Sequence, residues 1–203
     1  IAKTAMSLGE SEINTRKALK GAIPAILAGL LHQSSRREGL GIIDLLTNVD
    51  NSGATNNLSN IVESTKNSAA ATTGQEEDVN TLIPGWLKSV FDGKLINIIN
   101  AISVYADVKS SSANAILKMA TPAALAPVAQ YAKENNMGAA DIDTFLHSHK
   151  SSIIAAVPSG FNLTGSLGIN SLDDIGIKTV TSQPKPSEYQ QRKAVKNAAG
   201  KWI

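Results

Sequence analysis

The stretch KALKGAIPAILAGLL, residues 17–31, combines apolar and small residues with a proline at its middle. Apolar residues at helical spacing predict an amphipathic helix from about residue 11 to residue 32. A proline inside a helix removes one backbone hydrogen bond and costs about 3 kcal/mol. We therefore expect a kink at Pro24, where the surrounding glycines and alanines allow a neighbouring helix to approach closely.

The same pattern occurs a second time. A shift of 98 residues places this stretch on AILKMATPAALAPVA, residues 115–129, with six identities between positions 20 and 28 and with Pro24 on Pro122. A shift of 99 residues places GLGIIDLL, residues 39–46, on GAADIDTF, residues 138–145. We interpret the two matches as an internal duplication with a period near 100 residues. The alternative interpretation is that Pro24 and Pro122 each begin a new helix, where proline is favoured.

Composition points to the same fold class. Apolar residues make up 42% of the 203 residues and aromatic residues only 4%, so alanine and aliphatic side chains must fill the interior. Such an interior suits closely packed helices better than β-strands, which favour aromatic and β-branched residues. We predict an all-α fold of duplicated helical repeats with kinked, proline-containing central helices and an irregular C-terminal segment rich in glycine and serine.

Polar, glycine-rich and proline-rich stretches divide the chain. The predicted segments are a first repeat, a flexible polar linker, a second repeat, an irregular linker and a basic juxtamembrane segment, at residues 1–65, 66–80, 81–158, 159–187 and 188–203. The second repeat is expected to contain a break near Gly93 and helices over 110–134 and 139–157. Because residue 1 aligns with residue 99, the first repeat lacks its opening helix, and we expect sequence upstream of Ile1.

Residues that carry chemistry are scarce. There is no cysteine, and the three histidines form no metal-ligand motif. His147 and His149 are two residues apart and point to different faces of a helix, and His149 is expected to line the core or a helix groove. The acidic pairs Asp141 and Asp143, and Asp173 and Asp174, fit helix N-termini and turns better than an acid–base pair. We expect no catalytic, cofactor or metal site, and hence no enzyme.

Charge is unevenly distributed along the chain. Residues 1–177 contain 13 lysines and arginines against 16 acidic residues, and the remaining residues contain six against one. Four of those cations lie shortly before Trp202: Arg192, Lys193, Lys196 and Lys201. Basic residues and tryptophan flank membrane helices on the cytoplasmic side, so we predict a membrane segment beyond Ile203. A solvated basic helix is the alternative, and the cations are too few to favour nucleic acid.

The stretches LGESEINTRKALKGAIPAILAGLL, residues 8–31, and LHSHKSSIIAAVPSG, residues 146–160, resemble the YidB-like bacterial domain of unknown function. The resemblance covers about residues 1–167 and implies an all-α fold built around an A-x-P core helix. In some members of that family the helical region precedes one membrane helix and an OmpA-like peptidoglycan-binding domain. The resemblance therefore implies the cytoplasmic face of a bacterial inner membrane. It supplies no catalytic residues.

We therefore expect a non-enzymatic interaction or scaffold domain, tethered to the inner membrane, that binds a protein partner or self-associates. The alternative is a soluble domain that binds a small apolar ligand between helices near the two prolines. A cavity of several hundred Å³ with convergent polar groups would favour the ligand. A large exposed apolar patch would favour the scaffold.

Overall fold

The computed structural model describes residues 1–36, 40–53 and 79–176. Most of the expected linker at 66–80 and all of the expected basic segment at 188–203 lie outside these residues. Within the described ranges the regular structure is helical and contains no strand, which confirms the all-α prediction.

The first part of the chain contains three helices. α1 spans Ala2–Leu8, α2 spans Glu12–Arg36 and α3 spans Leu40–Asn51. The hydroxyl of Ser11 accepts a hydrogen bond from the backbone N–H of Asn14, so a side chain satisfies one of the free amides at the start of α2.

The second part begins with α4, Val79–Phe91, which is separated from α5, Leu95–Ala106, by a 3₁₀ turn over Asp92–Lys94. The turn contains Gly93, where a break was predicted. α6 spans Ser110–Glu134, the bounds expected from the sequence.

The single helix predicted over 139–157 is two helices. α7 spans Ala139–Ser148 and α8 spans Lys150–Ala155, with the change of direction at His149. His149 is exposed, so of its two predicted places, the core or a helix groove, the core is wrong. Its ring contacts the ring of Phe145, with centroids 4.5 Å apart.

The segment after α8 is more ordered than the sequence suggested. It contains α9, Leu163–Leu167, and a 3₁₀ turn over Leu172–Asp174. Four of its apolar side chains are buried in the core: Phe161, Leu163, Leu167 and Ile175. The irregular linker predicted from residue 159 is therefore wrong as far as residue 176, because these few apolar residues outweigh the glycine and serine around them.

α2 and α6 pack against each other at the centre of the molecule, and α4 and α5 each contact both of them. The remaining contacts are crossed: α3 packs chiefly against α6, whereas α7 and α8 pack against α2. One hydrophobic core includes side chains from both predicted repeats. The predicted repeats are therefore not separate folding units.

The central contact is built from small side chains. On α2 the buried alanines recur at helical spacing, at Ala18, Ala22, Ala25 and Ala28, and α6 contributes Ala113, Ala120, Ala124 and Ala126. Because alanine side chains are short, two helix backbones can approach closely along such a face.

Both helices continue through their prolines. α2 and α6 each have 25 residues, and Pro24 and Pro122 are each the thirteenth. The alternative in which each proline begins a new helix is therefore wrong. Both prolines are buried, consistent with equivalent positions, while the duplication itself stays a prediction.

Candidate functional site

A groove of about 430 Å³ lies between the C-terminal half of α2, the outer side of α3 and the middle of α4. Helix α2 contributes Leu30 and Gln33, and the other two helices contribute apolar residues on successive turns: Ile42, Leu45, Leu82 and Trp86. Polar side chains border the groove at Asp44, Asn48 and Ser89. The groove therefore combines an apolar floor with several hydrogen-bonding groups.

Two of the lining residues are buried and polar. Gln33 is 5% exposed and Trp86 is 4% exposed. Neither the Gln33 amide nor the Trp86 indole N–H forms a hydrogen bond with any residue in the described ranges. Neither group is among the fully buried polar atoms that lack a partner, so both are accessible and are free to form hydrogen bonds with water or with an occupant of the groove.

Two glycines also face the groove, Gly41 in α3 and Gly85 in α4. A Cβ atom built at either position would have no neighbour within 4 Å. Gly85 is the seventh residue of a 13-residue helix, where glycine costs about 1 kcal/mol relative to alanine. Neither packing nor a left-handed backbone requires glycine at these places, so its effect is to widen the groove.

Gly29 has the opposite role. A Cβ atom there would lie 2.7 Å from Val90 Cγ1 and 2.8 Å from Phe91 Cε1. Glycine at this position lets the end of α4 pack directly on α2. That contact sets the distance between the two helices that form the groove.

A second cavity, of about 300 Å³, lies between α3, α6 and α7. Ile43, Leu46 and Met137 contribute to its apolar lining. At its edge Lys133 Nζ lies 2.7 Å from Asp50 Oδ2, which ties the end of α6 to α3. Its described lining side chains include no buried polar group comparable to Gln33 or Trp86.

A polar cluster fastens α7 to the end of α2. The buried Ser34 hydroxyl donates to Asp143 Oδ1 at 2.8 Å, and Ser35 Oγ lies 2.9 Å from His147 Nε2. Asp143 Oδ1 is 3.4 Å from that same ring nitrogen. A serine nucleophile needs its histidine to contact the serine and the carboxylate through different nitrogens. The cluster lacks this arrangement and acts as a polar tie between two helices.

The other acidic residues singled out from the sequence occupy local structural positions. Asp141 accepts a hydrogen bond from the backbone N–H of Gly138 at the start of α7. Asp174 accepts one from the backbone N–H of Ser171 in the last 3₁₀ turn. These contacts confirm helix-terminal roles for both carboxylates.

Of the sequence-predicted site residues, Pro24 and Pro122 lie in the central helices and line neither cavity. The predicted membrane-flanking set lies outside the described residues: Arg192, Lys193, Lys196, Lys201 and Trp202. In the part of the chain that the structure describes, no helix is long and apolar enough to cross a bilayer. No cluster of His, Asp or Glu suited to a metal occurs among those same residues.

Large exposed apolar side chains are spread over several of the described helices. Met6, Ile13 and Val104 are each more than three-quarters exposed, on α1, α2 and α5. Single exposed apolar residues are common on protein surfaces and do not define a binding site. The groove is therefore the better candidate.

The sequence did not predict the groove residues Gln33 and Trp86. The available signal was Gly85, a glycine in the interior of an apolar helix next to a tryptophan. An isolated helical glycine is a recognised mark of close packing or function. Locating the groove also requires knowing which helices are neighbours.

The described residues therefore form an all-α protein in which both predicted repeats share one core, with a groove between α2, α3 and α4. The family model described as a bacterial protein of unknown function, DUF937, matches residues 1–130, and the chain belongs to this family. No curated protein and no solved structure matches it. The family assignment agrees with the expected bacterial family of unknown function. The membrane helix and the OmpA-like domain implied by the resemblance stay predictions.

Proposed function

We propose that the chain is a non-enzymatic interaction domain that holds a partner protein in the groove between α2, α3 and α4. The observation that carries the proposal is a pair of polar groups on largely buried side chains, the Gln33 amide and the Trp86 indole N–H, that stay accessible and have no partner among the described residues. A bound partner would supply those hydrogen bonds and exclude water from them.

The glycines of the groove support a binding role. Replacing Gly85 by alanine would stabilise α4 by about 1 kcal/mol without a clash, so its glycine carries a stability cost. Binding sites retain such costs because function rather than stability determines the residue.

A groove-filling variant tests the proposal. Gly85→Leu adds a side chain that enters the groove, and Ala123→Leu adds the same side chain to an exposed position of α6. Both variants and the wild-type full chain are immobilised, and retained bacterial proteins are quantified by mass spectrometry. Each specifically retained protein is then purified and titrated against all three forms.

We expect at least one partner whose affinity falls tenfold or more in Gly85→Leu and is unchanged in Ala123→Leu. Thermal unfolding should show Gly85→Leu to be at least as stable as wild type, which separates a blocked groove from a damaged fold. Equal binding of every partner to Gly85→Leu and wild type would refute the groove as the interaction surface.

A small apolar ligand is the second candidate. The groove volume, about 430 Å³, lies within the range of roughly 300–1,000 Å³ that is common for ligand sites. The prolines named in the sequence-based version of this hypothesis do not line the groove. A co-purifying small molecule that Gly85→Leu excludes, together with no groove-dependent protein partner, would favour this candidate.

We further propose that the domain is tethered at the cytoplasmic face of the bacterial inner membrane by a segment beyond Ile203. The basic residues from Arg192 to Lys201 and the adjacent Trp202 support this proposal. Fractionation of cells that express the native full-length protein should place it with the inner membrane, and protease should reach the domain only from the cytoplasmic side. Recovery in the soluble fraction would refute the tether.

A further inference from the structure

We infer that the occupant of the groove is a partner segment that presents a neutral peptide group beside an apolar side chain. The inference rests on the proposed function and specifies the chemistry of the partner. It follows from three properties of the groove: its unpaired hydrogen-bonding groups, its charge and its size.

The hydrogen-bonding groups match a peptide backbone. The Gln33 amide offers both a carbonyl acceptor and N–H donors, whereas the Trp86 indole offers one donor. A peptide group supplies one N–H and one C=O, which together satisfy both sides of the Gln33 amide. The carbonyl of the neighbouring peptide group is then available to accept from Trp86.

The charge of the groove selects against an acidic occupant. Asp44 carries the single charge among the described residues that line the groove. A carboxylate or phosphate placed in the groove would be repelled by Asp44, and no cation among the described lining residues compensates for this repulsion. The occupant at this position is therefore neutral or cationic.

The size of the groove limits how much of the partner enters. An α-helix with its side chains is roughly 10 Å across. A volume of about 430 Å³ is too small for a whole helix but holds one large apolar side chain with its two flanking peptide groups. Leu30, Leu45 and Leu82 supply apolar contacts for that side chain.

The probe for the inference is N-acetyl-leucine N-methylamide, a leucine flanked by two peptide groups. The chain contains two tryptophans, so Trp202→Phe leaves Trp86 as the single indole. Its N–H resonance is followed by NMR as the probe is titrated into the full chain. N-acetylleucine, which carries a carboxylate, and N-acetylglucosamine, which carries an amide on a sugar, are titrated in parallel.

We expect a saturable shift of the Trp86 N–H resonance with the methylamide and at least tenfold weaker binding of N-acetylleucine. Gln33→Leu removes the amide while keeping a similar side-chain volume, and should weaken the methylamide at least tenfold. Gly85→Leu should abolish the shift, while Ala123→Leu should leave it unchanged.

Three results would overturn the inference. They are a response to N-acetylglucosamine alone, a methylamide shift that persists in Gly85→Leu, and the absence of any response to the methylamide. If Gly85→Leu still loses its protein partner in these cases, the proposed function stands and only the chemical class is wrong. If the methylamide binds as expected but no partner depends on the groove, the proposed function fails instead.

Discussion

Nine residues beyond their prolines, the two central helices differ sharply. In α2 the residue is Gln33, which is buried and faces the groove, whereas in α6 it is Tyr131, which is exposed and stacks on Phe145 with ring centroids 4.7 Å apart. Five residues beyond the prolines, α2 has Gly29 beneath α4 and α6 has the exposed Pro127. The first halves of the helices are more alike.

The difference teaches how two similar helices acquire different roles. The C-terminal half of α2 is covered by α4 on one side and by α7 and α8 on another, so its polar residues are buried. The same half of α6 contacts α3 and, through Tyr131, Phe145 of α7, and it leaves Pro127 and Tyr131 exposed. The helices that pack against α2, rather than the proline pattern that it shares with α6, place the candidate site on α2.

The largest expected effect concerns Gly29 and Pro127. Gly29→Leu should destabilise the protein by about 3 kcal/mol, because even its Cβ would overlap Val90 and Phe91. Pro127→Ala should instead stabilise it, by up to about 3 kcal/mol, because it restores a helix hydrogen bond at an exposed position. Urea denaturation measures the free energy of unfolding of both variants. Changes of the same sign would contradict the comparison between α2 and α6.

A smaller effect is expected at the polar ties that fasten the ends of the two helices. Ser34→Ala should cost about 2 kcal/mol, because it removes a buried hydrogen bond to the Asp143 carboxylate. Lys133→Ala should cost less than about 1 kcal/mol, because the Lys133–Asp50 pair has an exposed lysine. Thermal unfolding compares the stability of the two variants. An equal loss of stability would mean that the two ties do not differ in burial.

The smallest effect is a pH dependence where the beginnings of α2 and α6 meet. The backbone N–H of Lys109 donates to Glu10 Oε1 at 3.0 Å and, with a hydrogen bond from Ser112, lowers the pKa of Glu10. Because the folded pKa lies below the unfolded one, this stabilisation is present above the unfolded pKa of about 4.3 and is lost as the pH falls through the folded pKa.

Glu10→Gln should therefore reduce stability slightly at neutral pH and flatten the loss of stability at acid pH. Stability measured between pH 7 and pH 3 for the variant and for wild type tests this. Parallel curves would show that Glu10 keeps an ordinary pKa in the folded protein.

Most of the described helices could be predicted from the sequence. The bounds of α6 follow from a serine-rich start and a long alanine pattern, and the break near Gly93 follows from glycine. The break at His149 had no such mark, since HSHK contains neither glycine nor proline. The burial of Phe161 and Ile175 was also hidden, because glycine and serine dominate the composition around them.

The alignment of the predicted repeats holds better for the central helices than for α3 and α7. Ile43 is half-buried but Ile142, its partner in the alignment, is buried. Asp44 faces the groove, whereas Asp143 bonds to Ser34. Burial agrees better when Ile42 is paired with Ile142 and Leu46 with Leu146. The sequence could not reveal this register, because it depends on which face each helix turns to its neighbour.

The crossed contacts of α2 have a consequence for how the chain folds during synthesis. α2 is made early, but α7 and α8, which cover it, come more than 100 residues later, and Phe161 reaches Gly21 later still. The alanine-lined face of α2 lacks its native cover until α6 has been made, and the helix stays partly uncovered until these later elements follow. We therefore expect the nascent chain to stay open, and to need protection from aggregation, until about residue 176 has left the ribosome.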